Sequence, residues 1–137
     1  MIPRSTALFL CLLLLAGCTY NLLRPPRDEW PEIGNEFAKC LRWAGPDLAA
    51  TFFTTDARPA FLTAYGEDRG LQVTNVRHDA GGPAVGDKVQ SVLAIEYYRS
   101  PSVSIKNARI PLEWRCIEAG RLLPCRWQIT TELSRLP

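Results

Sequence analysis

Apolar residues recur at three- and four-residue intervals up to Gly70 and at alternate positions beyond it. That change of period predicts helices first and strands afterwards. Ile33, Phe37, Cys40, Leu41 and Ala44 share one face at i, i+4, i+7, i+8 and i+11, so Trp30 to Ala44 is expected to be a helix. Pro31 suits its first turn, Asp28, Glu29 and Glu32 suit the positive end of its dipole, and Gly45-Pro46 stops it. A short second helix is expected over Asp47 to Phe53. A third is expected from Thr55 or Asp56 to Tyr65, with Pro59 in its first turn. Asp47 and Asp56 stand at helix starts and read as caps.

Four strands should follow: Leu71 to His78, Lys88 to Arg99, Ser102 to Ile117 and Arg121 to Leu133, with a Gly- and Pro-rich loop from Asp79 to Asp87. Val89, Leu93, Ile95 and Tyr97 share one face of the second strand. In the third, Val103 and Ile105 are apolar at odd positions, but Ala108, Ile110, Leu112, Trp114 and Cys116 are apolar at even ones. A bulge near Asn107 would repair that phase slip and bend the sheet. With a turn near Gly120, one register of the last hairpin sets Cys116 opposite Cys125, Trp114 opposite Trp127 and Leu112 opposite Ile129, all on apolar faces. Cβ atoms directly opposite lie about 4.5–5.5 Å apart, close to what a disulfide needs, so a Cys116–Cys125 bridge is expected.

The chain's beginning reads differently. Arg4 is followed by an apolar run from Ala7 to Leu15, then by Ala16, Gly17 and Cys18. This is the layout of an export signal. The run falls short of the roughly 20 apolar residues a spanning helix needs. Leu15-Ala16-Gly17-Cys18 resembles the lipobox of bacterial lipoproteins. The resemblance implies a diacylglycerol on the Cys18 thiol, cleavage before it, and a further palmitate-type acyl chain on the new amine. It implies no other cofactor, and a partner in the lipid bilayer itself. Thr19 stands where an Asp would retain such a protein in the inner membrane, which implies the outer membrane, facing the periplasm. Residues 1–17 are thus expected to be removed, 18–29 to be a lipidated tether containing Pro25-Pro26, and 30–137 to form one domain. Ten extended residues reach at most about 35 Å, so the domain would stay close to the membrane.

Sixteen basic residues stand against fourteen acidic ones, with no block of one sign. Such a balance gives no field that would point to nucleic acid. Of the five cysteines, Cys11 leaves with the signal and Cys18 takes lipid. Export places Cys40, Cys116 and Cys125 where disulfides form, with Cys40 left reduced. Their spacing around the lone His78 does not suit zinc.

Helices followed by four antiparallel strands make an α+β fold: N-terminal helices packed on a curved sheet. Phe37-Ala-Lys-Cys-Leu-Arg-Trp43, Gly45-Pro-Asp47, Phe52-Phe53 and Ala57-Arg58 resemble the helical half of nuclear-transport-factor-2-like domains. Glu96-Tyr-Tyr-Arg-Ser-Pro-Ser-Val103 and Leu112-Glu-Trp-Arg-Cys-Ile117 resemble their sheet half. Small bacterial lipoproteins with this roll are similar over about residues 30–132. The chain lacks the helix such domains often carry between the first two strands, which leaves the simpler cystatin-like roll as a close variant.

The resemblance implies a cone with a pocket between helix and sheet, in which enzymes of the superfamily place an Asp, His or Tyr. No catalytic residue carries over by motif. Trp43, Phe53, Tyr65, Tyr97, Trp114 and Trp127 are the aromatics that would line such a pocket or else fill the core. The expected function is a non-enzymatic envelope module that binds a partner protein or a small apolar ligand. A homodimer through the outer sheet face stays open, since the fold class often forms one. The alternative is a pocketed isomerase or hydrolase with His78 and Asp79 as acid and base, His78 being the residue whose charge changes near neutral pH.

Overall fold

A computed structural model describes residues 29–66, 68–118, 120 and 124–133. Helix α1 spans Trp30–Lys39 and runs on through a wider turn at Cys40–Ala44, together the length its periodicity predicts. It ends where Gly45 takes φ 93°, a conformation that favours glycine. Helix α2 covers Pro46–Ala49 and tightens over Ala50–Phe52, and α3 covers Arg58–Phe61 and widens over Leu62–Gly66. The expected carboxylate caps are absent. Asp47 lies inside the first turn of α2, and ahead of α3 it is Thr54 whose hydroxyl accepts the Ala57 N–H, at 3.4 Å.

Strands β1 (Leu71–Ala80), β2 (Lys88–Arg99), β3 (Lys106–Ile117) and β4 (Arg126–Ile129) form one antiparallel sheet in that order. The helices pack on one face of the curled sheet, as the α+β expectation requires. Val89, Leu93, Ile95 and Tyr97 of β2 and Ala108, Ile110, Leu112, Trp114 and Cys116 of β3 are all buried, so both strands present the faces their alternation predicts.

Two local expectations fail. The phase slip of the third strand is not absorbed by a bulge near Asn107. Pairing of β2 with β3 is unbroken from Lys106 to Arg115, and the strand simply starts after the odd-phase residues. Val103 and Ile105 are left 84% and 61% exposed in the connection. The sheet's irregularity lies in β1 instead, between Val73 and Asn75, where the Thr74 hydroxyl donates to the Glu96 carbonyl at 3.1 Å. The last hairpin is displaced by two residues. Trp114 faces Ile129 and Cys116 faces Trp127. A two-residue slide keeps every side chain on its own face, so alternation alone cannot distinguish the two registers. The expected start of the fourth strand at Arg121 lies outside the described residues.

Cys116 and Cys125 are nevertheless bridged, with Cα atoms 5.2 Å apart. Cys125 sits just before β4 rather than opposite Cys116 in the ladder. The far edge of β4 meets the helical half through a parallel bridge between Ile129 and Phe53. Phe37, Leu41, Phe53, Phe61, Leu93, Ile95, Leu112, Trp114 and Ile129 are the most deeply buried large side chains. Burying each contributes about 1.5–3 kcal/mol, set against the entropy of ordering the chain.

Candidate functional site: the groove between the first helix and the first strand

His78 lies within β1, opposite Leu93, and its side chain points inward beneath α1. There it meets two tryptophans edge-on, Trp30 with ring centroids 5.2 Å away and Trp114 at 5.9 Å. Gly34 closes the third side. A Cβ at that position would stand 2.7 Å from the His78 Nε2, so the helix can cross here only without a side chain. Nε2 is buried and has no hydrogen-bond partner among the described residues. Burial holds the imidazole pKa below its ordinary 6.5, against a weaker upward pull from the Asp79 charge. The ring is therefore neutral at neutral pH. Beneath it, Trp114 Nε1 donates to Ser91 Oγ at 2.9 Å, which satisfies a polar group inside the core.

Toward the other end of α1 the space between helix and strand opens into a groove of about 300 Å³. Asn35, Ala38, Lys39, Arg42 and Trp43 line it from the helix, and Val76, Arg77 and His78 from β1. Arg42 lies over the Trp43 ring, 4.4 Å from its centroid, and reaches Asn75 Oδ1 at 3.5 Å. Of the eight described residues that line it, three are cationic and none is acidic.

The sequence-predicted aromatics do not meet around one cavity. Phe53 is fully buried and stacks on Phe61 with centroids 4.4 Å apart. Tyr65 stacks on the other side of Phe61 and donates its hydroxyl to the Leu41 carbonyl at 3.0 Å, and its burial raises its pKa. Tyr97, Trp114 and Trp127 belong to the core. Trp43 is the exception, 75% exposed, because it stands off the apolar stripe of α1.

His78 and Asp79, adjacent in a strand, point to opposite faces. Asp79 is on the outer face, 3.0 Å from Arg77 and 3.6 Å from Arg109. The structure therefore does not bring the two together as a dyad. On the same face Glu113 accepts from Gln90, Thr130 and Arg115. Cys40 is a free, half-buried thiol. Leu15, Ala16, Gly17 and Cys18 lie outside the described residues. Among the described residues no cluster of His, Cys, Asp and Glu could hold a metal ion, and no helix is long and apolar enough to cross a membrane.

Sequence reasoning passed over Gly34, Ser91 and the cations of the groove. A glycine in mid-helix was the legible signal for the first, since such a residue costs helix stability unless something approaches closely.

Two consequences can be measured. Gly34→Ala should destabilise the domain by about 1–3 kcal/mol through the collision with His78, although a helical Gly→Ala change ordinarily gains about 0.5–1 kcal/mol. In the background of His78→Ala the same change should become favourable. Urea denaturation of the four proteins checks this, and a stabilised Gly34→Ala single variant would refute the contact. Stability should also depend on pH. The unfolded chain takes up a proton at its imidazole near pH 6.5, and the folded one only at a lower pH. The His78 contribution is thus fully present above pH 6.5 and lost as pH falls through the folded pKa. Urea midpoints between pH 7.5 and 5 should decline in wild type, and decline less in His78→Gln.

No family model matches the chain, and neither a curated protein nor a solved structure matches it.

Proposed function

We propose that the chain is an exported lipoprotein, cut before Cys18 and held at the membrane by acyl chains on that cysteine, where its domain serves as a non-enzymatic binding module. The observation that carries the reading is the order of features at the chain's start: Arg4, an apolar run, and Leu15-Ala16-Gly17-Cys18. Two or three acyl chains hold a protein stably, at about 0.8 kcal/mol per buried CH₂. The Cys116–Cys125 bridge supports it, because disulfides persist in oxidising compartments. The divergence of His78 from Asp79 supports binding rather than acid–base chemistry. Thr19 favours the outer membrane.

Intact mass and terminal peptide mapping of membrane-extracted protein test the reading. The expected species begins at Cys18 and carries a diacylglyceryl group and an N-acyl chain. Cys18→Ser should lack both and fail to mature. A mature terminus elsewhere, or an unmodified Cys18 in the bulk of the protein, would overturn the proposal.

A further inference from the structure

We infer that the groove between α1 and β1 is a binding site for a phosphate group, with Lys39, Arg42 and Arg77 as its cationic contacts and Trp43 as an apolar wall for whatever carries the phosphate. The inference deepens the binding-module reading and rests on it, though not on the lipid anchor.

The chain's formal charge is only +2, spread over mixed signs. Composition therefore does not dictate that three cations should line one groove of about 300 Å³ with no carboxylate among the described lining residues. Arg77 stands at the edge of β1, bordering both the groove and the outer face, and its Nε is paired with Asp79 at 3.0 Å. Arg77 still has a side chain 67% exposed. Arg42 is held differently. Its guanidinium carbon lies 4.4 Å from the Trp43 ring centroid, a cation–π contact that lowers the entropy lost when a ligand is grasped. An arginine fork matches phosphate oxygens two at a time, and a lysine adds a mobile point charge. Three cations around one small space suit a phosphate, which carries more than one negative charge near neutral pH, better than a single carboxylate.

Trp43 adds an independent reason. An indole 75% exposed on a helix whose other large aromatics, Trp30 and Phe37, are buried leaves apolar surface unused by the fold. Amphipathic aromatic rings at such positions serve contacts in which one side is apolar and the other wet. Trp43 lies about 20 Å along the helix from Trp30, at 1.5 Å per residue. The groove lies beside the C-terminal half of that helix and is open to a soluble phosphate compound. A lipid headgroup reaches it if the domain lies along the bilayer.

Trp43 also supplies the readout, since Trp30, Trp114 and Trp127 are buried. The lipidated chain, isolated from membranes and placed in phosphatidylcholine nanodiscs, is titrated with inorganic phosphate at constant ionic strength. A parallel preparation uses nanodiscs containing phosphatidylglycerol. A saturable change in Trp43 emission, absent in Trp43→Phe, is expected in one arm or the other. Response to inorganic phosphate assigns a soluble source, and response in the phosphatidylglycerol discs alone assigns a headgroup. Arg42→Gln and Arg77→Gln should each weaken binding about tenfold or more, and Arg42→Lys should restore only part. All these side chains are exposed, and an unchanged urea midpoint certifies the fold of each variant. A flat titration in both arms overturns the inference, as does a response that chloride reproduces or that the arginine variants leave intact. Failure of the anchor would show separately, as missing acyl mass on Cys18.

Discussion

Trp114→Ala is expected to cost the domain about 3–5 kcal/mol, the range of buried aromatic truncations. Trp114 has no exposed surface. Its ring lies 6.2 Å from Trp30, 5.8 Å from Phe37 and 5.9 Å from His78, so it joins α1 to both β1 and β3. Truncation would remove those contacts at once and leave a cavity that rigid strands cannot close. It would also strip the buried Ser91 hydroxyl of its donor at 2.9 Å, a loss of about 1–3 kcal/mol when a buried polar group is left unsatisfied. Trp114→Phe separates the two effects, since it keeps much of the ring volume but not the N–H. Adding Ser91→Ala to Trp114→Phe should recover part of the loss, because removing both partners is cheaper than removing one. Small domains have total stabilities of about 5–15 kcal/mol, so the alanine variant should lie near its unfolding threshold. Urea denaturation followed by far-ultraviolet circular dichroism measures each value. A cost below about 1 kcal/mol for Trp114→Ala would mean that the indole is not the centre of this core.

That the centre could be found at all rests on alternation. Val89 to Tyr97 and Ala108 to Cys116 each keep one apolar parity, and a half-buried strand has only one way to satisfy that. The long helix was legible for the same reason, with Gly45-Pro46 marking its end. What alternation cannot resolve is a slide of two residues, which is why the β3–β4 register came out displaced while every residue kept its face. Nor does it say whether a phase slip is bulged or shed. Here Val103 and Ile105 were shed into an exposed connection, which costs apolar exposure but keeps the β2–β3 ladder whole. The site was less legible. By residue type Trp43 groups with the core aromatics, although its place on α1 is off the stripe formed by Ile33, Phe37 and Leu41. The burial of His78 could not be read locally. It depends on Gly34, distant in sequence, crossing directly above the ring.

The cysteine pair was legible even though its register was not, and this leads to the second large effect. Replacing Cys116 and Cys125 together by alanine, or reducing the bridge, should cost about 2–3 kcal/mol from the entropy of a short closed loop. The two are nine positions apart, and their Cα separation of 5.2 Å falls in the ordinary range for a bridge. The loss should be felt unevenly. Strand β4 has four residues, holds to β3 on one side and meets Phe53 by a single bridge on the other. The cross-link ties down the chain entering it. Without that tie β4 should open before the longer β1–β2–β3 ladder does, since short edge elements lie at the low end of local stability. Hydrogen exchange makes the distinction. Thr130 N–H, bonded to the Glu113 carbonyl at 2.9 Å, should lose protection on reduction well before the amides of Leu93 and Ile95. Thiol titration of the exported, unfolded but unreduced protein supplies the independent check. Cys40 should react, and Cys116 and Cys125 should not. Three reactive thiols, or uniform loss of protection across the sheet on reduction, would show that the bridge does not hold β4 in place.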